Sequence, residues 1–359
     1  MGGGRVTTEL QVRRRTLRMR QGMMTARGLF TGVDGFWLRF GDGLGEVTLV
    51  PGFGLETPET ARAALAASAS VLRDGARSTS PEEVGERLQQ IPELIHAPAA
   101  RAGLELAMLD DAARAKNLPL MRFLGGEPRP VRLNALLTDD EVDALASEAR
   151  ARVKEGYETL KIKVGGQSAS QDAARLAAVR SAVGPNVRLR IDGNAGWSET
   201  EARSRLEAVA SLRIEYCEQP VAAEAIDALR RLRSVARVAA DESVGLLGSA
   251  DMLLGGARPA VDVLVFKLPV VGGILHARRL AGQARDVGVE VAVTSAFDGA
   301  VSRAGAAHLA CVLPADGPAH GLATGHLLVD DPGGYAIAQG GVHFPDSPGL
   351  GIAPEVLGW

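Results

Sequence analysis

The sequence predicts an α/β protein in which a closed barrel of alternating strands and helices follows an N-terminal α+β segment. Beyond Gly125-Gly126, short β-rich runs recur, each separated from the next by an alanine- and arginine-rich helical segment. The runs are VRLNALL (131–137), LKIKVG (160–165), VRLRIDGN (187–194), IEYCE (214–218), VARVAADES (235–243), VDVLVFKL (261–268) and VEVAVTS (289–295). Seven or eight such units favour a closed barrel over an open doubly wound sheet. No glycine-rich dinucleotide fingerprint follows the first of these runs, which also disfavours the open sheet.

The segment before the barrel begins with β-rich sequence and continues as helix. Residues 5–50 predict three short strands, with turns at Gly22, Asp34-Gly35 and Gly41-Asp42-Gly43. Residues 59–124 predict alanine-rich helices. Helix starts are expected at Thr57-Pro58 and Ser80-Pro81, where a capping residue precedes a proline, and a third helix is expected over about 98–116.

The composition indicates which binding partners and which cellular compartment to expect. The chain has 359 residues, of which 46% are apolar and 23% charged, and its formal net charge is −3. This balance predicts neither a nucleic-acid nor a membrane partner, and the sequence has no uninterrupted apolar run of about 18 residues. Two cysteines, Cys217 and Cys311, are too few for a disulfide framework or a zinc site. We therefore expect a cytoplasmic protein.

One ionisable residue stands near the C-terminal end of each of five consecutive β-rich runs. These residues are Lys163, Asp192, Glu218, Asp241 and Lys267, which lie 23 to 29 residues apart. One βα unit of a barrel takes about that many residues, since about 250 residues build eight units. We expect all five side chains at the end of the barrel that carries the active site.

The three acids of this set favour a metal site. Asp192, Glu218 and Asp241 would project from neighbouring strands into one mouth, where carboxylates repel one another unless a cation joins them. Carboxylate oxygens without cysteine or histidine nearby suit magnesium, which leaves coordination positions open for substrate oxygen.

Neighbouring polar residues extend this predicted site. Strand alternation places Arg190 and Asn194 on the same face as Asp192, directed toward the same mouth. Glu242, next to Asp241, is expected either to orient a metal ligand from behind or to pair with a barrel lysine.

Lysine side chains are costly to bury, so their presence in apolar strands calls for an explanation. Alternation places Lys161 and Lys163 on one face, where a dication and three acids would offset the cost of burying them. Each lysine makes protonation of the other less favourable, so one can serve as a base. Lys267 would arrive from the opposite side, four strands further round the barrel. A metal with two opposed lysines suits removal of a proton next to a carboxylate, with the metal holding the developing enediolate.

The ordered set of motifs resembles the enolase superfamily, and within it the subgroup similar to muconate-lactonizing enzymes. The motifs are LKIKVGG, RIDGNAGW, EYCEQP, ADES and VFKLPVVGGI, together with the mixed N-terminal segment, and they cover nearly the whole chain. Lysine bases beside magnesium are known chemistry of that superfamily.

This resemblance implies a fold, a cofactor and residue roles. The fold would be a modified (β/α)7β TIM barrel over residues 126–325, with an α+β capping domain over 1–125 completed by the tail, about 326–359. Magnesium would be held by Asp192, Glu218 and Asp241, with manganese as a substitute. Lys163 would be the main base, Lys267 its counterpart, and Lys161 would tune Lys163. The partner would be a small-molecule carboxylate, and a homo-oligomer is consistent with the family.

Within the subgroup the chain is most similar to o-succinylbenzoate synthases, the dehydratases of menaquinone biosynthesis. GLATGHLL (321–328) resembles their last-strand segment and TSAFDGAVSRAGAAHLA (294–310) their seventh-strand segment. Ser295, Gly321 and Arg190 are accordingly expected to bind substrate. The pair Asp298-Gly299 departs from the more usual glutamate-serine pair.

Three other functions remain open from the sequence. Racemisation of N-acylamino acids, or a related epimerisation, would use the same lysine pair, whereas dipeptide epimerases usually carry an Asp-x-Asp element that residues 318–328 lack. Muconate cycloisomerisation is a further option, which GLATGHLL disfavours. From another class, a non-catalytic barrel that binds an anion or a partner protein predicts loss of a charged position, and all five are present.

Overall fold

The structure is a computed structural model that describes residues 9–25, 28–50, 53, 56–73, 76–329 and 331–359. Its N-terminal sheet has three antiparallel strands, paired in chain order: β1 (Leu10–Thr25), β2 (Gly28–Phe40) and β3 (Gly43–Thr48). The predicted three strands and the turn at Gly41-Asp42 are confirmed, although residues 5–8 of the first prediction lie outside the described residues. The turns predicted at Gly22 and Asp34-Gly35 are wrong, because both sites lie inside strands.

The close approach of β3 to β2 explains why a glycine stands at position 35. A Cβ atom there would lie 1.9 Å from the carbonyl oxygen of Val47 and 2.9 Å from its carbonyl carbon. Both are backbone atoms of the paired strand and cannot rotate away. Gly35 therefore marks tight strand packing, not a turn.

Four helices follow this sheet. They are α1 (Pro58–Leu72), α2 (Pro81–Gln89), α3 (Pro98–Ala115) and α4 (Leu120–Phe123), with a 3₁₀ helix at Pro92–His96 before α3. The predicted starts are confirmed: the side chain of Thr57 accepts from the backbone N–H of Thr60, and Ser80 accepts from that of Glu83. Helix α3 is buried over most of its length and packs on β3.

A parallel sheet of seven strands forms most of the barrel. After β4 (Val131–Arg132), the strands are β5 (Asn134–Leu137), β6 (Thr159–Lys163), β7 (Arg188–Asp192), β8 (Ile214–Glu218), β9 (Val238–Ala240), β10 (Val263–Phe266) and β11 (Glu290–Val293). The helices are α5 (Val142–Lys154), α6 (Ala169–Val183), α7 (Glu199–Ala208), α8 (Ile226–Leu232), α9 (Ser249–Leu254), α10 (Leu268–Val271), α11 (Ile274–Asp286) and α12 (Ala300–Val312). Strands β5 to β11 neighbour one another in chain order, so the seven predicted β-rich runs are confirmed as strands.

Two residues close the barrel between its first and last strands. His320 bridges to Leu133 beside β5, and Gly321 bridges to Thr294 beside β11, both in parallel orientation. The backbone N–H of His320 donates to Arg132 O at 2.8 Å, and that of Gly321 donates to Val293 O at 2.8 Å. The eighth strand is thus reduced to a pair of bridges.

The C-terminal residues contact both the N-terminal segment and the barrel. Strands β12 (Ala336–Ala338) and β13 (Gly341–His343) form a hairpin that pairs with β4. Val329 N donates to Arg18 O in β1 at 2.9 Å. Short 3₁₀ helices lie at Ala210–Leu212, Glu242–Gly245, Gly325–Leu327 and Pro354–Leu357. The division into a cap (1–125 with about 326–359) and a barrel (126–325) stays a prediction, and we use the two words in that sense.

Two expectations from the sequence, on the cysteines and on membrane-spanning segments, can be compared with this fold. Cys217 and Cys311 are both buried free thiols. No helix in the described part of the chain combines the length and the apolar character needed to cross a bilayer.

A buried histidine joins the cap, the barrel and the tail. His308 on α12 accepts from Met121 N through Nδ1 at 3.0 Å, so Nε2 carries the proton and faces Tyr335 Oη at 2.7 Å. The Tyr335 hydroxyl in turn donates to Leu350 O. Burial lowers the pKa of His308 to about 3, because the charged ring would lose its hydration.

We expect acid to destabilise the protein partly through this histidine. The folded pKa of His308 lies below its unfolded value, so its contribution is complete above about pH 6.5 and is lost as pH falls toward 3. The loss should be about 1.4 kcal/mol per pH unit in that window. Comparing denaturant unfolding of wild type and His308→Gln from pH 6.5 to 4.5 checks this. Their free energies should converge as pH falls, and a constant gap would contradict the prediction.

A glycine pair tests the packing at position 35. Gly35→Ala should lower the free energy of unfolding by about 2–4 kcal/mol, since the added methyl overlaps fixed backbone atoms. Gly282→Ala on α11 is the matched control: no atom lies within 4 Å of its added Cβ, and alanine favours the helix by about 0.5–1 kcal/mol. Opposite shifts in the urea midpoint are expected, and equal shifts would refute the packing argument.

Candidate active site

The lysines and acids predicted from the sequence line one cavity at the C-terminal ends of the barrel strands. Its volume is about 300 Å³. The cap supplies part of the wall through Phe30, Thr31, Gly32, Val50 and Phe53. The barrel supplies Asn134, Leu136, Lys161, Lys163, Asp192, Asn194, Glu218, Asp241, Glu242, Lys267, Thr294, Ser295, Ala296, Phe297, Gly321, Ala323 and Thr324.

Lys161 bridges two of the acids at the floor of this cavity. Its Nζ lies 2.8 Å from Asp192 Oδ2 and 2.6 Å from Glu218 Oε1. Burial alone would lower the pKa of Lys161, but the two carboxylates more than offset it and raise that pKa well above its usual value. Lys161 therefore stays an ammonium ion.

The two acids respond differently to this shared lysine. Burial would raise the pKa of Asp192, but Lys161 and then Lys163 hold it well below its ordinary range. Burial outweighs Lys161 at Glu218 and raises the pKa of that carboxyl to about 7.

Lys163 is the more accessible lysine of β6. Its side chain is 27% exposed against 14% for Lys161, and its Nζ donates to Asn194 Oδ1 at 2.7 Å. The nearest carboxylate oxygen, Asp192 Oδ2, is 3.8 Å away. Asn194, which was expected on the same face as Asp192, is in direct contact with Lys163. A positive φ of 44° at Asn194 and a bond from its N–H to Asp192 Oδ1 fix this orientation.

Lys267 faces Lys163 from β10, four strands further round the sheet, as predicted. Its Nζ contacts Asp241 Oδ2 and lies 4.1 Å from the centre of the Phe53 ring in the cap. The ammonium group is thus held between a barrel carboxylate and an aromatic face, which a cation favours.

Glu242 lies closer to the cavity than the alternation argument indicated. It lines the wall, and its Oε2 is buried without a hydrogen-bond partner among the described residues. Burial, then the charge of Asp241, raises the pKa of Glu242 to about 8. No described ion pair joins it to a barrel lysine.

The carboxylate groups are chemically suited to a hard divalent cation, although they do not surround a single point in this structure. No group of three or more acids, histidines or cysteines among the described residues is arranged as a ready metal site. Asp241 Oδ1 is nonetheless buried without a hydrogen-bond partner in the described chain, which suits a ligand atom. The three ligand assignments stay predictions.

Gln219 is a positioning residue that the sequence argument missed. It is fully buried, its backbone has a φ of 35°, and its Oε1 accepts from the N–H groups of Asp241 and Ser243. The residue thereby ties the end of β8, which carries Glu218, to the loop that carries Asp241. Its place inside the motif EYCEQP was the available signal.

The expectation that Arg190 binds substrate finds no support in its position. The guanidinium is buried one layer below the cavity, bonded to Glu215 Oε2, Asn134 Oδ1 and Ala319 O, and stacked on Tyr216. Alternation assigned the correct face of the strand, but the side chain fills the barrel interior beneath Asp192. Arg190 therefore supports the closing segment at Ala319 from inside the barrel.

Ser295 and Gly321 do line the cavity, opposite the acids. Ser295 Oγ is 2.6 Å from Thr324 Oγ1, so two hydroxyls form this part of the wall. Asp298, in contrast, is buried behind the wall and accepts from Ala296 N. The aromatic side chains Phe30, Phe53 and Phe297 were not predicted, because they meet only in the folded chain.

Comparison with known proteins assigns the family. Residues 144–356 match the family described as Enolase C-terminal domain-like, which covers more than half of the chain. The chain belongs to the enolase superfamily. The predicted α/β barrel class is confirmed, since a dipeptide epimerase of Enterococcus faecalis superposes with a TM-score of 0.86 and 26% identity over 97% of this chain and 99% of that one.

Three enolase-superfamily relatives differ in the reactions that their names give. The chain is 34% identical over 230 residues to a hydrophobic dipeptide epimerase of Enterococcus faecalis, covering 63% of this chain and 64% of the relative. It is 33% identical to an N-succinyl-L-Arg/Lys racemase of Bacillus cereus, over 59% and 58%. It is 38% identical to an o-succinylbenzoate synthase of Thermobifida fusca, over 58% and 66%. The aligned stretch thus spans less than two thirds of each relative.

Because the chain belongs to this superfamily of enzymes, it is classed as an enzyme and is related to proteins that bind magnesium. The Enterococcus epimerase structure is complexed with Mg and the dipeptide L-Leu-L-Tyr, so that relative binds a small molecule. Enolase-superfamily enzymes use Mg²⁺. The three relatives are named as an epimerase, a racemase and a synthase, so their names do not define the reaction of this chain. The residues of its own cavity must indicate that reaction.

The metal prediction can be tested without a substrate. Asp241→Asn should weaken Mg²⁺ binding at least about tenfold in titration calorimetry, because a carboxylate ligand is lost. Asp227→Asn is the matched control, since it removes the same charge from an exposed position on α8. Equal affinities in the two variants would contradict the assignment of Asp241.

Proposed function

We propose that this enzyme catalyses the magnesium-dependent syn dehydration of 2-succinyl-6-hydroxy-2,4-cyclohexadiene-1-carboxylate to o-succinylbenzoate, a step of menaquinone biosynthesis. The observation that carries the proposal is the wall opposite the acids. Ser295, Gly321 and Thr324 present hydroxyl and backbone groups there, and all four cavity acids of the described chain come from β7 to β9 and the residues after them. A substrate with a free ammonium group, such as a dipeptide, would find no carboxylate on that side.

The apolar part of the cavity suits a ring. Phe30 and Phe297 pack with ring centres 5.2 Å apart, and Phe53 closes the side near Lys267. A cyclohexadiene that becomes aromatic can lie against such faces. The 38% identity to an o-succinylbenzoate synthase supports the same assignment.

In the proposed mechanism Lys163 acts twice. Its neutral Nζ takes the proton from the carbon that bears the carboxylate, and the C–H electron pair moves into the carboxylate to give an enediolate. The resulting ammonium returns that proton to the hydroxyl on the adjacent ring carbon. The C–O bond then breaks, water leaves from the same face, and the ring becomes aromatic. Asn194 Oδ1, at 2.7 Å, holds Nζ on the cavity side throughout.

The other cations hold charge and transfer no proton. Lys161 remains an ammonium ion between Asp192 and Glu218, and Lys267 remains one beside Asp241 and faces the opposite side of the substrate. Asp192, Glu218 and Asp241 would hold Mg²⁺, which supplies positive charge for the substrate carboxylate as the α-proton leaves.

Racemisation of N-succinylamino acids is the second candidate. Lys163 and Lys267 face the cavity from strands on opposite sides, as a two-base exchange of an α-proton requires. N-succinyl substrates also lack an ammonium group, and the chain is 33% identical to an N-succinyl-L-Arg/Lys racemase.

Assays with both substrates decide between these functions. With Mg²⁺, we expect dehydration of the cyclohexadiene to be faster than deuterium incorporation at the α-carbon of N-succinylamino acids, followed by NMR in D₂O. Lys163→Ala should lower the dehydration rate about a thousandfold, since the only proton-transfer group is lost. Lys154→Ala, on the exposed surface of α5, should leave it unchanged. Faster α-proton exchange than dehydration would favour the racemase.

A further inference from the structure

Two buried acids of the cap contact the start of barrel helices that follow active-site loops. Glu46 on β3 accepts from Gly299 N through Oε1 at 2.6 Å and from Ser302 N through Oε2 at 3.0 Å. These amides belong to Gly299, which immediately precedes α12 and has no capping side chain, and to Ser302 in the first turn of that helix. A carboxylate at that position satisfies free N–H groups and complements the helix dipole.

The second acid repeats this arrangement one βα unit earlier. Glu105 on α3 accepts from Leu275 N at 2.9 Å and from Ile274 N, in the first turn of α11. Helix α11 also begins after a glycine, Gly273, which offers no capping side chain. Both acids are almost fully buried, so each is committed to the contacts it makes inside the protein.

Each acid is paired with an arginine of the cap that completes the junction. Arg15 on β1 bonds to Glu46 and also to Thr48 Oγ1 at 2.7 Å. Arg101 lies 3.2 Å from Glu105 on the same face of α3 and donates to Gly272 O in the barrel. A buried acid with both an arginine and helix amides is fully satisfied, and removing its charge leaves several groups unpaired.

The two helix starts are joined directly to the cavity. The loop before α12 carries Ser295 and Phe297, and Phe297 holds a strained φ of 56° with its ring against Phe30 of the cap. The segment before α11 begins at Lys267, whose carbonyl accepts from Val270 and Val271. Fixing α12 therefore fixes one wall of the cavity, and fixing α11 fixes the cation opposite Lys163.

We propose that Glu46 and Glu105 are positioning residues through which the cap sets the geometry of these two active-site loops. Glu46 sets the Ser295–Phe297 wall, and Glu105 sets Lys267. The kinetic consequences rest on the proposed function, whereas the structural consequences do not. Loss of the wall contact should act on substrate binding, and displacement of Lys267 should act on the chemical step.

A third acid on the same helix supplies a matched control. Asp110 on α3 is equally buried and pairs with Arg114 at 2.9 Å. It accepts from Leu44 N and Leu350 N, which lie in β3 and the tail, so it contacts neither active-site loop. Asp110→Asn removes the same kind of buried charge without touching α11 or α12.

Amide hydrogen exchange tests the positioning without any substrate. Glu46→Gln should raise exchange about tenfold at Ser295, Gly299 and Ser302 and leave Val270 and Val271 unchanged. Glu105→Gln should do the reverse, raising exchange at the segment after Lys267. Asp110→Asn should affect neither loop. Equal increases at both loops in all three variants, or no local increase, would overturn the proposal.

Steady-state kinetics test the functional half with whichever substrate the wild type converts. Glu46→Gln should raise KM about tenfold with kcat within about twofold, and Glu105→Gln should lower kcat about tenfold with KM within about twofold. Parallel losses in all three acid variants would indicate general destabilisation and refute positioning. Failure of the wild type on both substrates would reject the proposed function, and the exchange pattern would still decide the positioning.

A milder variant keeps the test decisive where a glutamine substitution unfolds the protein. Arg101→Lys retains the positive charge beside Glu105 but loses the guanidinium fork that also holds Gly272 O. It should lower kcat about threefold and raise exchange at Val270 and Val271, with KM unchanged. An unaltered kcat would overturn the assignment of the Arg101–Glu105 pair.

Discussion

Charge balance at the mouth of the barrel is the constraint on which the site depends. Four acids and three lysines share a cavity of about 300 Å³, where isolated charges are costly to bury. The structure resolves the imbalance in two ways. Ammonium groups lie directly on Asp192, Glu218 and Asp241, and the raised pKa of Glu242 favours its neutral form. A divalent cation bound among these acids would replace part of this compensation.

Sequence periodicity was enough to predict the barrel and the charged cluster, because both repeat once per βα unit. One polar position at the same phase of each strand must reach the same end of a parallel sheet, whatever the helices between them do. Depth inside the barrel does not follow from alternation, which is why Arg190 was placed on the correct face but in the wrong layer. Gly35 was misassigned because its role depends on backbone packing against β3, and Gly22 because it lies within a register shift of β1, between Arg18 and Met23.

For a similar reason, the residues that form the cavity walls could not be predicted from the sequence. Phe30 and Phe53 come from the cap and Phe297 from a barrel loop, and no local pattern relates them. Gln219 showed as part of a motif, but its two bonds to the loop after β9 exist only once β8 and β9 are neighbours. The charges of the cavity are thus set by repetition, whereas its shape is set by contacts between the cap and the barrel.

The two-residue closure of the barrel bears on the order in which the protein folds. Strands β5 to β11 can each add to the previous one as the chain emerges from a ribosome, but His320 and Gly321 join the last strand to the first. Such a long-range contact is slow to form, because the chain loses conformational entropy in closing the loop before the bridges contribute any stabilisation. The wall formed by Gly321 would then be completed only after synthesis has passed the eighth-strand segment. An open intermediate would expose the edges of β5 and β11, where a nascent chain is most prone to pair with another.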